Sequence, residues 1–193
     1  MMGHSLQELM RDRKKTILDQ WFHQFIGAYP PESVKYFERV ENTFSNPIGS
    51  NVHRSLVAIL DELLSEQDAD KIYRDLEMIM RIKAVQDVSP SQAIAFIFGL
   101  KSIIRSNFAS ELKSGEVKLD ELLDFFDSLD TIALLAFNLY VDSRELVYDM
   151  RITEMRQRMD ILEKANLLNE KVDTSTFMRC SNYMEMPESG EKE

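Results

Sequence analysis

Apolar positions recur at spacings of three and four along most of the chain, the pattern of helices that bury one face. The best-marked boundary lies within Arg81–Phe108, RIKAVQDVSPSQAIAFIFGLKSIIRSNF. Ser89 suits an N-cap, Pro90 suits a first helical position that needs no amide donor, and Gln92 completes the capping box. Behind this cap, Ala93–Leu100 leaves no polar face for two turns, so that end is expected to be enclosed by other helices. The run is far too short to span a bilayer. Further on, Ile103, Ile104, Phe108 and Leu112 return to a one-sided stripe, and Gly115 supplies a natural stop.

Upstream, Leu6, Leu9, Met10, Ile17, Leu18, Trp21, Phe22, Phe25 and Ile26 predict one helix from about Ser5 to Tyr29, with Arg11, Arg13, Lys14 and Lys15 on its solvent side. Tyr29-Pro30-Pro31 ends it, and a short helix near Val34–Val40 follows. Asn42–Gly49 is rich in turn formers, with Phe44 and Ile48 expected as anchors tucked beneath the loop. Helices are predicted over Asn51–Leu64 and, after a cap at Asp68 or Asp70, through Ile72, Leu76, Ile79, Met80 and Ile82. The short link from Val85 to Pro90 forces a tight corner. Arg81, Gln86, Asp87, Ser89, Pro90 and Gln92 form the motif there. Gln86 and Asp87 are polar groups in a confined place, suited to tying down the backbone or, alternatively, to touching a ligand or partner.

No glycine or proline appears between Gly115 and Pro187, so the helix opening near Leu119 can run far. Leu119, Leu122, Phe126, Leu129, Ile132, Ala133, Ala136, Phe137 and Tyr140 are expected to supply core contacts, and Ile132–Phe137 is apolar all round. Later, Ile152, Met155, Met159, Leu162 and Asn166 follow the a/d spacing of a coiled coil, with an asparagine suited to a parallel dimer. A segment that lies back on the bundle is the competing reading. The expected organisation is a sensory helical domain over 1–145, an extension of the last helix over 146–171, and a disordered tail over 172–193.

Composition narrows the function. With 193 residues and 44% hydrophobic content, one core and an all-α class are expected. A net charge of −10 argues against a nucleic-acid partner. The lone Cys180 excludes an internal disulfide and a cysteine-built zinc site, and the lack of a signal peptide points to the cytoplasm. None of His4, His23 and His53 completes an E-x-x-H pair, and no phosphate-cradling glycine loop or nucleophile elbow occurs. No metal, cofactor or catalytic group is therefore expected, and Asp120, Asp124, Asp127 and Asp130 read as the wet face of a helix. Trp21, Phe25, Phe96, Phe98 and Phe137 are either ordinary core or the lining of a site for a small apolar ligand.

Three stretches carry a family resemblance: Ile17-Leu18-Asp19-Gln20-Trp21 with Tyr29-Pro30, Phe44-Ser45-Asn46-Pro47-Ile48-Gly49, and Arg81–Ala93. In them, roughly over residues 10–150, the chain resembles the N-terminal domain of the RsbR (RsbRD) co-antagonists, the sensory domain of bacterial stressosomes. The resemblance implies a globin-like helical fold without haem. It also implies a homodimer and a last helix that passes a signal to a protein partner in a regulatory complex. The anti-sigma-antagonist (STAS) domain that follows in that family is not found in this sequence, so a stand-alone form is expected. The resulting expectation is a non-enzymatic sensory module acting through dimerisation and protein contacts. A carrier of a small apolar ligand is the alternative.

Overall fold

The computed structural model describes residues 5–37, 46–65, 68–86 and 88–181, with side chains as far as 165 except that of Tyr36. Among the described residues there are eight helices and no strand. They are α1 (Leu6–Asp12), α2 (Lys14–Ile26), α3 (Pro31–Phe37), α4 (Pro47–Leu63), α5 (Ala69–Val85), α6 (Pro90–Asn107), α7 (Ala109–Ser114) and α8 (Leu119–Ser181). This is the all-α architecture with a long last helix, consistent with a globin-like bundle. The chain divides into two compact units, Met1–Val147 and Tyr148–Glu193.

In the first unit, α4 and α5 pack as a hairpin through Leu56, Ile59, Leu60, Leu76, Ile79 and Met80, all essentially inaccessible. Helix α2 lies against α6, where Trp21 stacks on Phe96 with centroids 6.0 Å apart and donates its indole N–H to the Phe96 carbonyl at 2.8 Å. The indole thereby brings its large apolar body inside without stranding its polar atom. From α8, Leu122, Phe125, Leu129, Ile132, Ala136, Leu139 and Tyr140 complete the core.

Local chemistry sets several ends as expected. The box at Ser89 forms both ways, Ser89 Oγ accepting from the Gln92 N–H and Gln92 Oε1 from the Ser89 N–H at 3.1 Å. Gly115 takes a left-handed conformation, φ 76°, after α7.

Other expectations need correction. The single helix over Ser5–Tyr29 is two, divided at Arg13, whose φ of −101° and ψ of 12° depart from helical values although its N–H still bonds the Leu9 carbonyl at 3.2 Å. The basic cluster is not a free solvent face. Arg11 donates to the Leu64 carbonyl, Arg13 to the Asn107 carbonyl and the Glu111 carboxylate, and Lys14 to Asp61, while Lys15 is exposed. Turning the chain at Arg13 is what lets neighbouring cations reach different elements. The helix begun at Pro90 likewise ends early, at Phe108, whose φ of −116° and ψ of 20° depart from helical values while its ring is fully buried.

Helix α4 starts at Pro47, not near Asn51, because the buried Asn46 caps it and accepts from the Gly49 N–H at 2.9 Å. Ile48 is therefore on its exposed first turn instead of under a loop, whereas Phe44 lies outside the described residues. The enclosure expected around Ala93–Leu100 is incomplete, and Leu119 and Phe137 are not the core contacts expected of them, both standing exposed. Phe98, Leu134 and Phe137 are exposed, since α6 and α8 each give one face to the core and nothing described covers the other.

In the second unit, the side chains of 148–165 are all exposed, among them Met150, Ile152, Met155, Met159, Ile161 and Leu162. The side chain of Asn166 lies outside the described ones; α8 continues to Ser181, ten residues into the stretch expected as a disordered tail over 172–193, and 182–193 lie outside the described residues.

Candidate functional site

The corner between α5 and α6 is held from three directions. Gln86, which ends α5, accepts a hydrogen bond at 2.6 Å from the hydroxyl of Tyr29, just beyond α2. Arg144 on α8 donates to the Ala84 carbonyl at 2.9 Å, and the Tyr140 hydroxyl donates to the Val88 carbonyl. A helix end leaves carbonyls without internal partners, and side chains from α8 supply what the corner lacks. Asp87 lies outside the described residues.

Beneath the corner sits Lys83. It occupies a position on the apolar stripe of α5 and is only 3% exposed. Its Nζ lies 4.1 Å from the Phe25 ring centroid and 4.4 Å from that of Tyr29. Both rings belong to an aromatic series, since Phe25 meets Phe96 edge-on at 5.2 Å and Tyr29 approaches Phe37 at 4.9 Å. Burial pushes the Lys83 amine down to about 8. Burial also raises the Tyr29 phenol, against a smaller opposite effect of the Gln86 hydrogen bond.

Residues 15–155 match the family model described as the RsbT co-antagonist protein rsbRD N-terminal domain. The chain belongs to that family. No curated protein and no solved structure matches it.

In this RsbRD N-terminal domain the corner motif divides by role. Ser89, Pro90 and Gln92 shape the start of α6, Gln86 joins the corner to Tyr29, and Arg81 faces outward, paired with Glu77 at 2.8 Å. The five aromatic candidates do not converge. Trp21, Phe25 and Phe96 are buried together, whereas Phe98 and Phe137 line a separate open apolar groove with Ile94, Ala133 and Leu134. Residues two apart on a helix point to nearly opposite sides, which is why Phe96 and Phe98 part.

The remaining candidates have ordinary surroundings. His23 Nδ1 lies 2.7 Å from the Asp19 carbonyl, and His53 sits edge-on to Phe22 at 5.2 Å. Asp130 pairs with Lys101 at 2.6 Å, and Asp120, Asp124 and Asp127 are exposed. Among the described residues no group of three His, Cys, Asp or Glu side chains could hold a metal ion. None of their helices is long and apolar enough to cross a membrane.

Sequence reasoning singled out neither Lys83 nor the two α8 residues that hold the corner. The signal for Lys83 was present, because it continues the Leu76, Ile79, Met80 stripe as a charge on a core face. Tyr140 was placed in the core, and Arg144 offered no signal, since a polar residue in a charge-rich helix has no distinctive spacing.

Proposed function

We propose that the protein is a non-enzymatic sensory and regulatory module of the stressosome type, acting in the cytoplasm as a homodimer that engages a protein partner. The observation that carries this reading is the hold of Tyr140 and Arg144 on the corner. The helix that bonds the backbone at Ala84 and Val88 also runs on through the exposed apolar positions Ile152, Met155, Met159 and Leu162. A change of corner geometry must then break or carry along contacts made by the output helix. Large apolar side chains left in water at a/d spacing gain most from a second helix, and two copies supply one.

Native mass spectrometry of the full chain tests the proposal. The wild type is expected as a dimer, and Ile152→Asp with Met159→Asp as a monomer with unchanged helical content. A monomeric wild type, or a dimer indifferent to both substitutions, would overturn the dimerisation reading. The groove lined by Phe98 and Phe137 supports the second reading, a carrier of a small apolar ligand. The same spectrum would show that ligand as added mass.

A further inference from the structure

Two of the three stretches that carry the resemblance meet on the outer face of the α4–α5 hairpin. Pro47 and Ile48 come from the first turn of α4, Arg81 and Ile82 from the last turn of α5, and an open groove of about 420 Å³ runs between them. Ile48 stands 41% exposed at its edge, and Met78 and Ile82 add apolar lining.

The groove also carries charge in a defined register. Arg74 and Arg81 are seven residues apart on α5, two helical turns or about 10.5 Å along one face. Among the described residues Arg81 donates to Glu77 at 2.8 Å and Arg74 to the Asp70 carbonyl at 3.2 Å. A guanidinium has five donors, so most remain for an incoming group. At the rim, Arg54 donates to the groove residue Asn51 at 2.9 Å and brings a third cation, against which Glu77 is the one acidic side chain among the described lining residues. In a chain of net charge −10 this is a locally positive surface. Core packing requires neither an exposed isoleucine nor a pair of outward arginines there.

We infer that this groove docks an acidic amphipathic helix of a partner protein. Its apolar residues would rest on Ile48, Met78 and Ile82, and two carboxylates seven residues apart would face Arg74 and Arg81. The two-turn spacing of the arginines fits one helix laid along another, and a carboxylate takes a guanidinium bidentately. Methionine lining suits a partner whose apolar face varies in shape. This rests on the reading that the protein works through protein contacts, and it adds the surface and the chemistry of the partner.

The test is a titration of the full-length, isotope-labelled chain, followed by amide chemical shifts. The probes are a synthetic peptide helix of about 18 residues, long enough to hold helical structure, with leucines on one face and glutamates flanking them, the same peptide with lysines for glutamates, and sodium decanoate. The expected result is shifts gathered at Ile48, Asn51, Arg74 and Arg81, with the acidic peptide bound at least about tenfold better than the basic one. Arg74→Glu with Arg81→Glu should weaken the acidic peptide about tenfold and favour the basic one. Arg74→Gln with Arg81→Gln, a milder change, should give a smaller loss of the same sign. Equal binding of both peptides, shifts centred elsewhere, or binding of decanoate alone would overturn the inference. Native mass spectra of the same samples separate the two readings: failed peptide binding by an intact dimer sinks the groove alone, whereas a monomeric wild type sinks the dimerisation reading whatever the peptides do.

Discussion

Lys83 places an amine among aromatic rings where water would ordinarily solvate it. The faces of Phe25 and Tyr29 offset part of the lost hydration, and burial still brings the amine down to about 8. In the unfolded chain a lysine holds its proton to about 10.4. Between these values the unfolded state binds more protons than the folded one, so this site adds stability as pH rises from 8 and loses it as pH falls back through 8. Above about 10 the raised Tyr29 phenol acts the other way, because unfolded tyrosine ionises first. Lys83→Met should therefore be more stable than the wild type by about 1–3 kcal/mol at pH 7. That difference should shrink between pH 8 and 10 in urea unfolding. A difference independent of pH would contradict the placement of the amine.

Asn46 is a second decisive residue. Its side chain accepts from the Gly49 N–H and donates to the Phe37 carbonyl at 3.0 Å, joining the start of α4 to the end of α3. Asn46→Ala should cost about 1–2 kcal/mol, seen as a fall in Tm of about 2–8 °C. Gly49 must stay small for the same reason, since a Cβ there would stand 2.3 Å from Asn46 Nδ2.

At the scale of elements, the breaks matter as much as the helices. Dividing the first helix at Arg13 frees a guanidinium to cross to Asn107 and Glu111, so α2 and α7 are joined by a charge-assisted contact. Hydrogen bonding, from Ser110 first and then from Arg13 among others, holds Glu111 below the usual carboxylate range. The α5–α6 corner depends on α8 in the same way. Arg144→Ala should leave the Ala84 carbonyl without its charged donor and cost about 1–3 kcal/mol, with faster amide exchange at the end of α5 and the start of α6. Arg144→Lys keeps the charge and should recover part of the loss. If exchange at the corner did not change in the alanine variant, the role given to α8 in holding it would fall.

For the whole molecule, charge and apolar exposure pull in different directions. A net charge of −10 makes copies of the chain repel one another, while exposed Ile152, Met155, Met159, Ile161 and Leu162 favour burial against another surface. The proposed dimer follows if burial of that apolar area outweighs the repulsion. The double aspartate variant of Ile152 and Met159 alters both terms in the direction of the monomer.

Much of this architecture was legible in the chain alone. The cap at Ser89, the stop at Gly115, the stripes of α4 and α5 and the reach of α8 rest on local chemistry: helical period, capping side chains, and the run without glycine or proline. Such signals act within a few residues and do not need the rest of the protein. Only tertiary structure decided that Phe96 is covered and Phe98 is not, that Lys83 rests on Phe25 and Tyr29, and that Arg144 reaches a carbonyl sixty positions away. The physical reason is that an apolar or charged residue is suited to several surroundings, and which one it meets depends on the elements that fold against it from distant parts of the chain.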